Sequence, residues 1–156
     1  MHIFTYGTLM FPEVWRAVAG WNCSSIAGSV RGFSAYRVRG AVFPGIIATK
    51  ERDAVRGILY FDVSEAAVAR LDQFENDFYV RQSLTIVCED GIERQADAYV
   101  VPTDRRDVLT DEAWRRESFV ASGGVDEFMA RFAGFERIVR AEQWSGRTEE
   151  RKDPSH

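Results

Sequence analysis

The stretch that most restricts how this chain can fold is the pair of runs flanking Asp90-Gly91. Tyr79 to Cys88 and Ile92 to Val101 are strand-like, and Asp-Gly between two such runs is a strong local signal for a tight antiparallel hairpin. In the returning run, Ala96, Ala98 and Val100 fall on one face and Asp97, Tyr99 and Val101 on the other. Isolated helices around such a hairpin favour an α+β chain over a βαβ array.

The helix preceding the hairpin is equally legible. Ser64 is an N-cap residue type, Glu65 lies in the first turn, and helical periodicity runs to about Phe74. On a helical wheel Ala67, Val68, Leu71 and Phe74 form an apolar arc opposite Arg70, Gln73 and Asp77. Glu75 falls inside the arc, between Val68 and Leu71. A carboxylate there costs desolvation free energy unless something offsets it. Two readings stay open. Glu75 lies past the helix end, before the turn-formers Asn76 and Asp77, and pairs with Arg81; or it is a partly buried acid with a raised pKa, suited to carrying protons.

The rest of the chain reads as short elements. His2 to Tyr6 is a first strand, Gly7-Thr8-Leu9-Met10 a tight connection, and Phe11 to Ala19 a helix with Pro12 in its first turn. Ser24 to Arg39, interrupted by Gly28 and Gly32, reads as one or two bent strands. Pro44-Gly45 reads as a loop turn, and Ile46 to Thr49 and Val55 to Val63 as strands. Asp111 to Ala121 reads as a helix capped by Asp111 and stopped at Gly123-Gly124, with a second helix from Val125 to Phe135. Residues 146–156 are polar and expected to be disordered.

Composition removes several classes of function. At 156 residues the chain suits one domain, taken here as 1–145 with a core over 2–101 and a helical extension over 104–135. A net charge of −4, with Arg scattered among Asp and Glu, argues against nucleic-acid binding. No run approaches the ~20 apolar residues of a membrane span, and no secretory leader is evident. Two cysteines, Cys23 and Cys88, without metal spacing, read as reduced core thiols in a cytoplasmic protein. The histidines are His2 and His156, so a histidine-based triad or metal site has no placed residue. Carboxylates, hydroxyls and backbone amides remain. The strand-to-turn junction at Tyr6-Gly7-Thr8-Leu9 can present amides to an anion.

Taken in order, Tyr6-Gly7-Thr8-Leu9, Val55-x-Gly57-x-Leu59-Tyr60, Leu71-Asp72-x-Phe74-Glu75-x-x-x-Tyr79-x-Arg81 and Ala98-Tyr99-Val100 resemble the γ-glutamylcyclotransferase superfamily, in particular its AIG2-like, γ-glutamylamine cyclotransferase branch. The resemblance covers roughly residues 2–101. It implies a small mixed β-barrel with peripheral helices and a pocket at one mouth. It also implies conversion of a γ-glutamyl group to 5-oxoproline with release of an amine or amino acid. Glu75 would be the general acid/base, and Tyr6, Gly7, Thr8 and Leu9 the loop that holds the glutamyl moiety. Met10, Tyr79 and Tyr99 complete the expected substrate-binding set.

Such chemistry needs no cofactor and no metal, because the nucleophile is the substrate's own α-amine. The loop amides would bind either the substrate carboxylate or the tetrahedral oxyanion. The expected partner is a small γ-glutamyl substrate. The 104–135 extension is expected to cover the pocket mouth or to form a homodimer surface. Many relatives carry Gly after the glutamate, where this chain has Asn76, a residue type tolerant of positive φ. The alternative is a non-catalytic binding or stress-response module that retains the pocket.

Overall fold

The computed structural model describes residues 1–20, 23–75, 77–121 and 123–124. Five strands close into a mixed barrel in the order β1 (Ile3–Thr5), β5 (Ala54–Tyr60), β2 (Ser25–Arg31), β6 (Val80–Cys88), β7 (Glu93–Val100). The ring closes where β7 lies parallel to β1, at Ile3 opposite Asp97. The other pairings are antiparallel. A second sheet, in the order β4 (Pro44–Ala48), β3 (Phe33–Val38), β8 (Leu109–Ala113), packs beside it. Among the described residues, three α-helices, α1 (Pro12–Ala19), α2 (Glu65–Phe74) and α3 (Arg116–Ala121), lie at the periphery.

Strand alternation divides the core in two. Phe4, Leu59, Ala96, Ala98 and Val100 point into the barrel with Val30, Leu84 and Ile86. Their neighbours Ile3, Tyr60 and Tyr99 point outward, into a second core with Leu9, Trp15, Val68 and Leu71. This is the period-2 pattern legible in the returning run of the hairpin. Small residues make the closure feasible. Gly28 and Gly57 are cross-strand partners. A Cβ on Gly57 would strike the carbonyl of Thr5, and one on Gly28 would lie 2.8 Å from Ile86 Cγ2.

The hairpin turns at Gly91 with φ of +82°, and Val80 to Val87 pair in unbroken register with Val100 to Glu93. Ser64 caps α2 by accepting a hydrogen bond from the Ala67 amide at 3.1 Å. Arg70 of α2 donates to the carbonyls of Val18 and Ala17 at the end of α1, which satisfies carbonyls that the helix cannot bond itself. Trp15 of α1 stacks flat on Tyr60 of β5, with centroids 3.7 Å apart.

Two expectations are corrected. Pro44-Gly45 is not a loop turn; it begins β4 and pairs with Arg37 and Tyr36 of β3. The 104–121 region is not simply helical. Thr103–Val108 forms 3-10 turns, Leu109–Ala113 is strand β8 with Asp111 inside it, and only Arg116–Ala121 is α-helix. Asp, Glu and Ala are depleted in strands, but the open edge of β3 supplies backbone partners that local propensity cannot anticipate. Gly123, at φ +75°, follows the helix as expected. The helix expected over 125–135, the tail over 146–156 and Asn76 lie outside the described residues.

Candidate active site

The reading frame of β1 places Tyr6 immediately beyond the strand, with its side chain among the barrel-interior residues. Gly7 follows, and a Cβ there would sit 2.8 and 2.9 Å from the ring carbons of Pro44, so no other residue fits without moving β4. Thr8–Met10 then make a 3-10 turn. The Met10 and Phe11 amides are used within it, donating to the Gly7 and Thr8 carbonyls. The earliest amides of such a turn, those of Gly7, Thr8 and Leu9, have no partner inside it. The Leu9 carbonyl accepts the Tyr60 phenol at 3.1 Å, and the buried Leu9 side chain anchors the turn in the helix-side core.

Glu75 is reached from the other side. Helix α2 ends at Phe74, and Glu75 is its C-cap with extended backbone (φ −74°, ψ 148°), its amide donating to the Leu71 carbonyl. With a helical φ and its amide still bonded to Leu71, Glu75 projects its side chain from the helical position that the wheel gives, and the chain turns away only after it. The pairing with Arg81 is not formed. Arg81 Nε lies 3.1 Å from Asp72 and its terminal nitrogen 3.0 Å from Asp97.

Three tyrosines gather around Glu75. Tyr6, Tyr79 and Tyr99 each have their phenol pushed up, foremost by burial, and in each the Glu75 charge adds to the shift. Each phenol proton is committed elsewhere: Tyr6 donates to the Tyr99 carbonyl, Tyr79 to the Pro44 carbonyl at 2.6 Å, and Tyr99 to the Asp72 carboxylate at 2.6 Å. Although the residue keeps some solvent exposure, its carboxyl group is set among protein atoms. Burial, and after it the nearby Asp72 charge, push the Glu75 carboxyl up to about 8. Such a group holds its proton at neutral pH and exchanges it readily just above.

The structure thus brings Tyr6, Tyr79, Tyr99 and Glu75 into one cluster beside the Gly7–Leu9 turn. Met10 stands apart from that cluster. With Tyr6 it lines a groove of about 850 Å³ that runs between the barrel and the 113–117 segment, past Gly28, Gly57 and Trp114. Glu75, Tyr79 and Tyr99 are not among the walls of this groove. The 113–117 segment is held in place by the Trp114 indole, which donates to the Val42 carbonyl at 2.9 Å. Phe119 beyond it packs near Phe11 and Trp114.

Sequence reasoning missed two participants. Asp72 receives both Tyr99 and Arg81; its spacing of three residues from Glu75 was the available signal. Pro44 packs on Gly7 and accepts Tyr79, a role hidden by its turn-like local sequence. Among the described residues, no three His, Cys, Asp or Glu side chains converge as metal ligands do.

Comparison with known proteins bears on this arrangement. The family model for gamma-glutamyl cyclotransferase, AIG2-like, matches residues 3–116. AIG2-like protein D of Arabidopsis thaliana is 29% identical over 92 residues, which cover 58% of this chain and 60% of that protein. The chain therefore spans less than two thirds of that relative's length. The solution structure of another Arabidopsis thaliana protein superposes with a TM-score of 0.65 over 99% of this chain and 92% of its own, at 19% identity. A solved gamma-glutamyl cyclotransferase superposes with a TM-score of 0.56 over 64% of this chain and 65% of its own, at 15% identity. At these identities the structural likenesses establish the fold, and the family match over 3–116 establishes the lineage. The chain belongs to the AIG2-like gamma-glutamyl cyclotransferase family.

Proposed function

We propose that this protein converts the γ-glutamyl group of a small γ-glutamyl amine or peptide to 5-oxoproline and releases the amine, with Glu75 as general acid/base. The observation that carries the reading is the grouping of the Glu75 carboxyl with Tyr6, Tyr79 and Tyr99, where burial pushes it up to about 8. Family membership supports it.

The reaction asks little of the protein in covalent terms. The substrate's α-amine attacks its own γ-carbonyl carbon, a C–N bond closes the five-membered ring, and the bond to the leaving nitrogen breaks. Folding the glutamyl chain so that these atoms meet supplies an orientation effect worth up to ~7–11 kcal/mol. Ionised Glu75 takes one proton from the α-ammonium, which frees the amine to attack, and returns it to the departing nitrogen; the ring nitrogen sheds its second proton to solvent or to the released amine, so the carboxyl ends as it began. The first amides of the 8–10 turn bind either the substrate carboxylate or the oxyanion of the tetrahedral intermediate. Tyr6, Tyr79 and Tyr99, each tied by its phenol to another group, would flank the glutamyl group and limit water around Glu75.

With a pKa of about 8, roughly one tenth of Glu75 is ionised at pH 7. The base form grows as pH rises, so kcat/KM should climb from pH 6 and level off above 8. The test is a panel of γ-glutamyl amines and dipeptides, with 5-oxoproline measured by mass spectrometry. Turnover with this acid limb, lost in Glu75→Gln, supports the reading. Binding of a γ-glutamyl compound without any 5-oxoproline would instead make the protein a non-catalytic module.

A further inference from the structure

Asp72 occupies a position that neither its helix nor its surface exposure requires. It lies in the last turn of α2, three residues before Glu75, and that turn contains no basic residue. Two carboxyl groups at a helix C-terminus sit at the unfavourable end of the helix dipole, and at this spacing they also repel each other. A cluster of this kind persists when something else depends on it.

What depends on Asp72 is the placement of β7. One of its oxygens accepts the Tyr99 phenol at 2.6 Å and lies 3.1 Å from Arg81 Nε. Arg81 and Tyr99 are direct cross-strand partners in the hairpin, and Arg81 also holds Asp97, two residues before Tyr99 on the same face. The carbonyl of Tyr99 in turn accepts the Tyr6 phenol. A continuous path therefore runs from the α2 terminus through Asp72 and Tyr99 to the first residue of the substrate loop. The titratable and charged groups around this end of α2 are Asp72 on the helix, Tyr6 after β1, Tyr79 and Arg81 at the start of β6, and Asp97 and Tyr99 on β7.

We propose that Asp72 is the positioning residue of the site: it holds Tyr99, and through the Tyr99 carbonyl the Tyr6 phenol, while its charge, partly offset by Arg81, opposes ionisation of Glu75. This role rests on the acid/base reading of Glu75 and adds a second carboxylate that touches no reacting atom. The proximity of the Asp72 charge is also among the causes of the Glu75 shift.

The experiment is a side-chain carboxyl NMR titration of Glu75 in protein labelled with ¹³C-glutamate, assigned by loss of the signal in Glu75→Gln. Asp72→Asn keeps an oxygen for Tyr99 and Arg81 but removes the charge, so the Glu75 midpoint should fall by about one pH unit, a tenfold change in proton affinity. Arg81→Gln removes the offsetting charge, so the midpoint should rise. A purely structural role would loosen the site in both variants and move both midpoints the same way; that result, or no movement, overturns the proposal. In turnover, the acid limb should follow each midpoint, and Asp72→Asn should keep a higher kcat than Asp72→Ala. Equal kcat in the two would remove the holding role. If the wild type releases no 5-oxoproline from any substrate, the cyclotransferase reading fails, yet the NMR midpoints still decide whether Asp72 governs Glu75.

Discussion

Two acidic residues at chain reversals meet opposite fates in this molecule. Asp90, at the tip of the β6–β7 hairpin, is met by both terminal nitrogens of Arg94 at 3.1 and 2.9 Å and by the Ile92 amide at 3.1 Å. Those donors, the Arg94 hydrogen bonds first, hold its carboxyl below the usual range. Glu75, at the end of α2, is surrounded by phenols whose protons point elsewhere, and Arg81, six residues on, serves Asp72 and Asp97. Its carboxyl is pushed up to about 8. The first arrangement stabilises a charge and ties a turn; the second withholds stabilisation and leaves a proton ready to move. The difference lies in where the donors are aimed, not in the residue type.

That contrast is testable in descending order of effect. Glu75→Gln should lower kcat for 5-oxoproline release by about 10²–10⁴-fold while circular dichroism stays unchanged. Gly7→Ala tests whether the loop needs its approach to Pro44. The added methyl would lie 2.8 Å from the Pro44 ring, and overpacking of this kind costs about 1–3 kcal/mol in urea unfolding.

Glu75→Gln should also alter the dependence of stability on pH. The folded protein keeps the Glu75 proton up to about 8, whereas the unfolded chain releases it near 4.5. Between those values the folded state binds more protons, so this group's contribution is complete below 4.5 and is lost as pH rises through 8. The variant should therefore match the wild type near pH 5 and exceed it by up to about 4 kcal/mol near pH 9, read from paired urea curves.

Tyr79→Phe removes the donor to the Pro44 carbonyl. It should cost about 1 kcal/mol of stability, with a larger fall in activity if the turn shifts. At the other pole, Arg94→Gln breaks the exposed Asp90 pair and should leave turnover and the thermal midpoint unchanged within error, because exposed pairs contribute little. A loss of activity there would show that the hairpin tip communicates with the site and would dissolve the contrast.

How much of this was legible varies with how local the cause is. The hairpin turn at Gly91, the Ser64 cap and the inside–outside alternation of the returning strand rest on neighbouring residues, and all are present in the structure. The burial of Glu75 follows the helical wheel, because its φ of −74° and its amide bond to the Leu71 carbonyl keep its side chain in helical position even though the helix ends at Phe74. Its surroundings depend on Tyr6 and Tyr99, residues distant in sequence that only barrel closure brings near. The second half of β8, Asp111 to Ala113, reads as a helix start because Asp111 is an N-cap residue type and no apolar alternation marks a strand there; pairing with the β3 edge makes it strand. Asp72 was passed over because its partners, Tyr99 and Arg81, lie on another element.

The most direct measurement of the contrast is the pH at which the wild-type Glu75 side chain loses its proton, followed by ¹³C NMR of its carboxyl carbon. A buried acid beside the charge of Asp72 predicts a midpoint near 8. A midpoint near 4.5, within the range of ordinary surface glutamates, would contradict it.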